Sequence, residues 1–258
     1  MAAAEGPEGR LVAGLDGCRG GWVVALWDGI APLRLKRIAR LAELFEGPDA
    51  PQIAAIDIPI GLPDRAGAGG RGAERLVRPL LGARQSSVFS VPSRAAVMAG
   101  LGPDDERTRY LSACAVARAT SDPPKAVSKQ AFHIFPKIAE ADALLRDRPD
   151  LILRLLECHP EVAFWAMNGQ RALDLPKKVK SRPFPAGLDL RLGLLAASGV
   201  PIDKLSAQTA LALKAGLDDL VDACACLWTA RRALYGKALR FPDPPGRDAL
   251  GLMVAIHA

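Results

Sequence analysis

The chain has 258 residues, of which 50% are hydrophobic but only 5% aromatic, so its length suits one large α/β domain with an aliphatic core. The net charge of +6 permits an anionic partner but does not by its total indicate one. No apolar run reaches the ~20 residues that cross a bilayer, so we expect no membrane span, and we see no secretory signal pattern. Five widely spaced cysteines without a C-x-x-C pair suggest reduced thiols and a cytoplasmic protein.

The first part of the chain predicts a short leader followed by a three-strand meander. We expect residues 1–9 to be a disordered leader. Gly20-Gly21 and Asp28-Gly29 are turn signals that would reverse the chain twice. The predicted elements are strands over 10–16, 22–26 and 33–39, a short helix over 41–46 and a fourth strand over 52–58. Pro59 then breaks the fourth strand.

The rest of the chain predicts a helical insertion and a return to the sheet. We interpret residues 64–149 as a helical insertion within a single domain over 10–258. The predicted helices of the insertion cover 73–81, 95–99, 104–119 and 130–146. A fifth strand over 151–157 follows, then helices over 160–167, 188–197, 204–214 and 218–234, with a basic loop over 170–186. This is the element order of the ribonuclease-H-like fold, an α/β fold with a mixed sheet and flanking helices.

Three of the predicted strands close on an acid, namely Asp16, Asp57 and Glu157. If these strands are neighbours, their carboxyl ends lie at one edge of the sheet and the acids converge. Carboxylate oxygens are the ligands that Mg²⁺ and Mn²⁺ prefer, so the pattern predicts a site for a hard divalent cation. The alternatives are a turn former for Asp16, a buried hydrogen-bonded acid for Asp57 and an arginine partner for Glu157.

The helix predicted over 218–234 begins with three acids in five residues. Asp218 suits an N-cap position, and Asp219 suits the first turn, where an acid complements the helix dipole. Asp222 lies further inside the helix and shares a face with both, without an interleaved cation to offset the repulsion. A bound metal ion would supply that cation.

Basic residues fall into two groups that could hold phosphate. The first group is Arg65, Arg71, Arg75, Arg78, Arg84 and Arg94, and the second is Lys177, Lys178, Lys180 and Arg182. The planar guanidinium group suits phosphate, although solvated faces and loops are the alternative for both groups. The candidate substrate-binding residues are Arg19, Arg84, Arg94, His159, Lys177 and Lys178. His159 also suits a helix cap, because Pro160 follows it.

Five motifs, in this order, carry a family resemblance. They are Gly14-Leu-Asp-Gly-Cys-Arg-Gly-Gly-Trp22, Ile56-Asp-Ile-Pro-Ile-Gly-Leu-Pro63, Ser87-Val-Phe-Ser-Val-Pro-Ser-Arg94, Glu157-Cys-His-Pro-Glu161 and Asp218-Asp-Leu-Val-Asp-Ala223. From about residue 11 to 256 the chain resembles a bacterial family catalogued as domain of unknown function 429, predicted nucleases with a ribonuclease-H-like fold. The resemblance implies that Asp16, Asp57, Asp219 and Asp222 are the metal-binding and catalytic acids, with Glu157 as a further catalytic acid.

The leading hypothesis is a metal-dependent phosphodiesterase that cleaves nucleic acid, structured or duplex, with two Mg²⁺ or Mn²⁺ ions on these acids. One alternative is a nucleotide-binding or phosphotransfer protein of the actin-like and ribonuclease-H-like superfamily. Against it, the chain has no G-x-x-x-x-G-K-[ST] loop and a single such domain. The other alternative is a non-catalytic module that binds nucleic acid on the same scaffold.

Overall fold

A five-stranded mixed sheet forms the centre of the computed structural model, which describes residues 9–179 and 182–258. Residues 1–8 of the predicted leader lie outside the described residues. The strands are β1 Val12–Cys18, β2 Gly21–Trp27, β3 Arg34–Ile38, β4 Ile53–Ile56, β5 Ala66–Gly67, β6 Ser121–Asp122, β7 Leu155–Glu157, β8 Lys178–Val179, β9 Arg182–Pro183, β10 Arg240–Arg247 and β11 Met253–His257. The central sheet has the order β3-β2-β1-β4-β7.

Helices pack on both sides of this sheet. The α-helices are α1 Gly72–Val77, α2 Arg94–Ala99, α3 Glu106–Ala119, α4 Lys129–His133, α5 Phe135–Asp147, α6 Pro160–Met167, α7 Pro185–Ala197, α8 Ala207–Ala212 and α9 Leu217–Leu234. Short 3-10 helices cover Leu41–Phe45, Arg78–Ser87 and Pro149–Leu151. Within the described ranges, no helix is long and apolar enough to cross a membrane.

The strand directions match the predicted ribonuclease-H-like arrangement. The strands β1, β2 and β3 form an antiparallel meander, and Gly20 turns the chain between the first two with a φ of 70°. The strand β4 pairs in parallel with β1, and β7 pairs in parallel with β4. The α/β class with a mixed sheet and flanking helices is therefore confirmed.

Side chains along β1 point alternately to the two faces of the sheet, and a separate layer of the core packs on each face. Ala13 and Leu15 face a layer that includes buried residues of the insertion helices α2 to α5. Val12 faces the opposite layer, which is formed largely by α6 to α9. Successive side chains of a strand point to opposite faces, so a sheet with helices on both sides has apolar residues at almost every position. The insertion thus covers one face of the sheet, and the C-terminal helices cover the other.

The longest helix, α9, packs so closely on β1 that a glycine is required at the contact. A Cβ atom on Gly14 would lie 2.0 Å from both the carbonyl oxygen of Ala223 and the backbone nitrogen of Leu227. Only a residue without a side chain leaves room for this approach. Gly14 and Asp16 lie on the same face of β1 because they are two residues apart. The contact therefore brings the first turns of α9 to the face on which Asp16 lies.

Several element predictions were wrong in their extent. The fifth strand was predicted over 151–157, but only Leu155–Glu157 is strand, because Pro149 starts a 3-10 turn that buries Leu151 in the core. The helix predicted over 130–146 is two helices, α4 and α5, with a break at Ile134. The hairpin of β10 and β11 was not predicted, since the proline-rich segment of β10 lacks the alternation by which strands are recognised.

Candidate metal centre

Three carboxylates meet at the carboxyl ends of β1 and β4. Asp16 lies within β1, Asp57 follows β4 directly, and Asp222 lies in α9. Each offers an oxygen, and these three oxygens lie within 4.8 Å of one another. Asp16 and Asp57 are half-buried, while Asp222 is buried with 1% of its surface exposed. Sequence analysis selected all three residues, and the fold brings them together.

Strand register explains which acids join this cluster. Leu15 is the partner of Ile56 across β1 and β4, so Asp16 and Asp57 follow at the same level and on the same face. Glu157, by contrast, is the partner of Ile56 itself. A difference of one residue in register places a side chain on the opposite face of a sheet. Glu157 consequently lies outside the three-acid cluster.

Glu157 belongs to a buried ion-pair network. Its Oε1 accepts a hydrogen bond from Nη2 of Arg71 at 2.6 Å, and its Oε2 accepts one from the backbone nitrogen of Ile60 at 2.8 Å. Arg71 also pairs with Glu74 at 2.6 Å. Burial raises the pKa of Glu157 to about 7, against the opposing effect of the arginine. The arginine partner considered from the sequence is thus present.

The acids at the start of α9 have separate partners. Oδ2 of Asp219 accepts a hydrogen bond from the backbone nitrogen of Gly216 at 2.8 Å, which caps the helix. Asp218 pairs with the exposed Lys178 at 2.5 Å. The predicted ligand Asp219 therefore lies beside the cluster, not within it, and its carboxylate serves the helix terminus.

Lys177 reaches into the cluster itself. Its Nζ forms an ion pair with Oδ2 of Asp222, and 28% of its side-chain surface is exposed. The other oxygen of Asp222, Oδ1, is buried and has no hydrogen-bond partner within residues 9–179 and 182–258. A buried carboxylate oxygen without a partner is costly, so it marks a place where a cation or water would be stabilised.

Ionisation of the three clustered carboxylates is unfavourable in the folded protein. Burial raises the pKa of Asp16 well above its ordinary value, and the negative charges of Asp57 and Asp222 raise it further. Burial also raises the pKa of Asp57 to about 6, although His159 opposes the change. For Asp222, burial raises the pKa while Lys177 lowers it. A bound divalent cation would relieve both the burial penalty and the mutual repulsion.

Asp16 and Asp57 line a cavity of about 260 Å³, and His159, Lys137 and Lys177 line it as well. Nε2 of His159 donates a hydrogen bond to the carbonyl oxygen of Ser87 at 3.3 Å, and its Nδ1 is buried with no partner among the described residues. With Nε2 as the donor, Nδ1 carries the free lone pair that can accept a proton or bind a cation.

A second cavity of about 520 Å³ adjoins the first, since Val88, Phe89, Val91 and Gln130 line both. Its other lining residues include Arg78, Lys125 and several serines but no acid. The acidic centre therefore opens toward a space with cations, hydroxyl groups and one aromatic ring, which suits an anionic organic ligand.

The predicted substrate-binding arginines have different surroundings. The guanidinium group of Arg94 pairs with both Asp142 and Asp248, which joins α2 to α5 and to the C-terminal segment. Arg84 is half-buried in the 3-10 helix over Arg78–Ser87, and its Nε has no hydrogen-bond partner. Arg19 is exposed in the turn between β1 and β2. Arg94 thus has a structural role, while Arg84 and Arg19 retain polar groups that a phosphate could contact.

Sequence reasoning missed two cations near the centre. Lys137 of α5 lines the cavity, donates to the carbonyl oxygen of Gly21 and lies 4.1 Å from the ring centre of Trp22. Arg191 is fully buried and binds both carboxylate oxygens of Glu161, at 2.6 and 2.8 Å. Neither lies near its partner in sequence, so no local pattern identifies them.

The residues at this centre fit a divalent cation. The donor set consists of carboxylates, which are hard oxygen ligands, and the buried Oδ1 of Asp222 lacks a partner. Asp16, Asp57 and Asp222 would hold the ion, and the imidazole of His159 lines the same cavity as Asp16 and Asp57.

Comparison with known proteins places the chain by family. No curated protein and no solved structure matches it. The profile described as "Protein of unknown function (DUF429)" matches residues 14–247, which include Asp16, Asp57 and Asp222. The match covers most of the sequence, and the chain therefore belongs to the DUF429 family.

Proposed function

We propose that this protein is a metal-dependent phosphodiesterase that hydrolyses nucleic acid. The observation that carries the proposal is the convergence of Asp16, Asp57 and Asp222 beside a cavity that the first two line. One oxygen of Asp222, the most buried of these acids, has no hydrogen-bond partner among the described residues. A Mg²⁺ or Mn²⁺ ion held there would polarise a phosphodiester and lower the pKa of bound water.

The chain's own residues supply the remaining functions. The lone pair on Nδ1 of His159 accepts the proton of the attacking water, while Nε2 keeps the ring in place through the carbonyl of Ser87. The water oxygen forms a bond to phosphorus, the bond from phosphorus to the leaving sugar oxygen breaks, and that oxygen takes a proton from solvent water. Lys137 and Lys177 add positive charge at the cavity wall, where the phosphate would lie.

The adjoining cavity supports a nucleic-acid substrate over a simple phosphate ester. Its acid-free lining with Phe89 and several serines could hold the base and sugar next to the scissile phosphate. The alternative of a binding module without catalysis uses the same surface, and a phosphotransfer role has no separate observation in its favour.

Cleavage assays separate these functions. Labelled single-stranded, duplex and hybrid oligonucleotides would be incubated with Mn²⁺, Mg²⁺ or EDTA, and products resolved on gels. We expect Asp16→Asn and Asp57→Asn to lose at least about a hundredfold in rate, because each removes a charged ligand. Asp28→Asn is the matched control, since Asp28 lies in an exposed turn after β2.

Metal binding provides a second measurement that does not depend on turnover. Mn²⁺ affinity, followed by calorimetry, should fall in both active-site variants and stay unchanged in Asp28→Asn. Equal cleavage by the wild type and by both variants would contradict the proposal. Binding of oligonucleotides without cleavage under every metal condition would favour the non-catalytic module.

A further inference from the structure

We infer that the metal centre holds one divalent cation and that the ammonium group of Lys177 is its resident second cation. The inference deepens the proposed function and rests on it. Sequence analysis predicted two metal ions. Most acids around the centre already have partners within the protein, so we expect a single metal ion together with the lysine.

Several carboxylates near the centre already form ion pairs with arginines. Glu161 lies close enough to raise the pKa values of Asp57 and Asp222, but both of its oxygens bind the buried Arg191. Both oxygens of Glu157 are also occupied, Oε1 by Arg71 and Oε2 by the backbone nitrogen of Ile60. Each of these acids has a guanidinium group within 2.6 Å, so neither is free to bind a metal ion.

The acids of α9 show the same division. Asp218 pairs with Lys178, and Asp219 accepts from the backbone of Gly216. Asp16, Asp57 and Asp222 are instead the acids whose oxygens lie within 4.8 Å of one another, and none of the three has a guanidinium partner within the described residues. Oδ1 of Asp16 accepts a hydrogen bond from the backbone nitrogen of Gly17 at 2.6 Å, which leaves its other oxygen for a cation. These three contribute a charge of −3 when ionised.

Lys177 then sets the balance of charge. It contributes +1 at the cluster through its ion pair with Asp222, which leaves −2 on the four groups together. One divalent ion neutralises that charge, whereas two would leave a buried excess of +2 before substrate binds. An uncompensated buried charge is strongly unfavourable, so the composition of the site favours one ion.

The position of Lys177 also suits a cation that stays in place. Its Nζ contacts Oδ2 of Asp222, and the unpartnered oxygen of that carboxylate is the other one, Oδ1. The two sides of one carboxylate are thus divided between the lysine and a free coordination position. Lys137, the other lysine of the cavity, instead donates to the carbonyl of Gly21, so it is not paired with the acids.

The test counts Mn²⁺ ions on the full chain without substrate, by calorimetry and by the electron-spin signal of free Mn²⁺. We expect one ion per chain for the wild type. Lys177→Met should bind that ion at least about tenfold more tightly, because a positive charge next to the site is removed. Lys177→Arg, which retains the charge, should bind one ion with nearly wild-type affinity.

Lys178→Met is the matched control. It removes the same charge from the neighbouring residue, whose side chain is 43% exposed and pairs with Asp218, outside the three-acid cluster, so affinity should change by less than about twofold. If Lys177→Met does not fold, Lys177→Gln repeats the measurement with a polar side chain. Two ions of comparable affinity on the wild type, or equal effects of the substitutions at 177 and 178, would overturn the inference.

These outcomes also separate the inference from the proposed function. One ion per chain, tighter in Lys177→Met, but no cleavage of any oligonucleotide would leave the inference intact and remove the nuclease function. Metal-dependent cleavage by a wild-type protein with two ions would support the nuclease function and overturn the inference of a single ion. Absence of Mn²⁺ binding would overturn both.

Discussion

Asp16 carries an electrostatic penalty in the metal-free protein. Its pKa is raised by burial and by neighbouring carboxylates, so the folded state opposes its ionisation more than the unfolded state does. The penalty is present at pH above the raised pKa and fades as the pH falls through it. We expect Asp16→Asn in EDTA to melt about 2–4 °C higher than the wild type near neutral pH, with the difference vanishing toward about pH 4. Thermal melts over a pH series would measure this.

Asp28 provides the control with the opposite sign. Its pKa is lowered because it accepts hydrogen bonds from the backbone nitrogens of Ile30 and Ala31. The ionised form therefore stabilises the fold above the unfolded pKa, and Asp28→Asn should slightly lower the melting temperature at neutral pH. Destabilisation of Asp16→Asn in EDTA would show that this carboxylate stabilises the fold and that repulsion is not its main effect.

The raised pKa of Asp57 predicts how metal binding depends on pH. A proton competes with the metal for this carboxylate, and its pKa is about 6. Mn²⁺ affinity should therefore fall as the pH decreases through this value, by about tenfold between pH 7 and 5 for one competing proton. Calorimetric titrations in buffers of different ionisation enthalpy would also count the protons released. An affinity that does not change between these pH values would contradict a role for Asp57 as a ligand.

The sequence allowed the three acids of the cluster to be predicted, but not the cations around it. Asp16 and Asp57 stand out because each closes an apolar strand, and Asp222 because it interrupts the buried face of a helix. Lys177 lies in a loop that contacts α7, where Arg191 donates a hydrogen bond to the carbonyl oxygen of Leu175. Its contact with Asp222 spans 45 positions in the sequence, and no periodic pattern encodes such a contact.

At the scale of the elements, the approach of α9 to β1 positions the centre. Gly14→Ala would place a Cβ atom 2.0 Å from the helix backbone, so α9 must move away. We expect a loss of about 2–4 kcal/mol in the free energy of unfolding, together with weaker Mn²⁺ binding because Asp222 moves with the helix. Chemical denaturation and Mn²⁺ titration of the same preparation would test both effects.

Gly193→Ala is the matched control for this substitution. Gly193 is exposed within α7, and nothing lies within 4 Å of the position that its Cβ would occupy. Alanine should stabilise this helix by up to about 1 kcal/mol and leave metal affinity unchanged. Equal effects of the two substitutions would mean that the contact of α9 with β1 does not position Asp222.

Glu157 joins the strand β7 to the insertion. We therefore expect a substitution of Glu157 to lower the stability of the fold without changing metal binding. Glu157→Gln would leave Arg71 with Glu74 as its remaining acid partner, so we expect a loss of about 2–4 kcal/mol in unfolding free energy. Mn²⁺ affinity should stay within about twofold, because Glu157 lies outside the cluster. A large loss of Mn²⁺ affinity in a stably folded variant would instead return Glu157 to the catalytic acids.

Element order was predictable, whereas register was not. Turn residues and apolar runs located the meander and the long helix, since these signals are local. The partner of Glu157 depends on a one-residue alignment of β4 with β7. That alignment is set by packing across the sheet, so the sequence alone could not decide whether Glu157 faces Asp57 or Arg71.

For the whole molecule, the basic residues that give the positive net charge fall into two classes: some have partners inside the protein, and others are available at the surface. Several arginines that the sequence suggested for phosphate binding instead hold the insertion together. Arg71 binds Glu157, Arg78 donates to the carbonyl oxygens of Gly69 and Val88, and Arg94 joins Asp142 to Asp248. Composition could indicate an excess of basic residues, but only the fold separates those with internal partners from those that can contact a ligand.

This separation leads to a prediction about nucleic-acid binding. Arg84 is half-buried in the 3-10 helix that contributes Ser86 and Ser87 to the cavity walls, and its Nε has no hydrogen-bond partner in the part of the chain that the structure describes. If its guanidinium contacts one phosphate, Arg84→Ala should reduce the slope of log affinity against log salt by about 0.7–0.9. The measurement is fluorescence anisotropy of a labelled oligonucleotide in EDTA, which removes metal-dependent cleavage.

Arg107→Ala is the control, because Arg107 is exposed at the start of α3 and, unlike Arg84, has no cavity-lining residue within two positions of it in the sequence. It removes the same charge, so it should change the affinity slightly through the overall field and leave the slope nearly unchanged. Arg94→Ala should instead lower the melting temperature, since it leaves the buried Asp142 and Asp248 with fewer partners. Identical slopes for Arg84→Ala and the wild type would mean that Arg84 does not contact the phosphate backbone, and the path of the nucleic acid would then have to lie elsewhere on the basic surface.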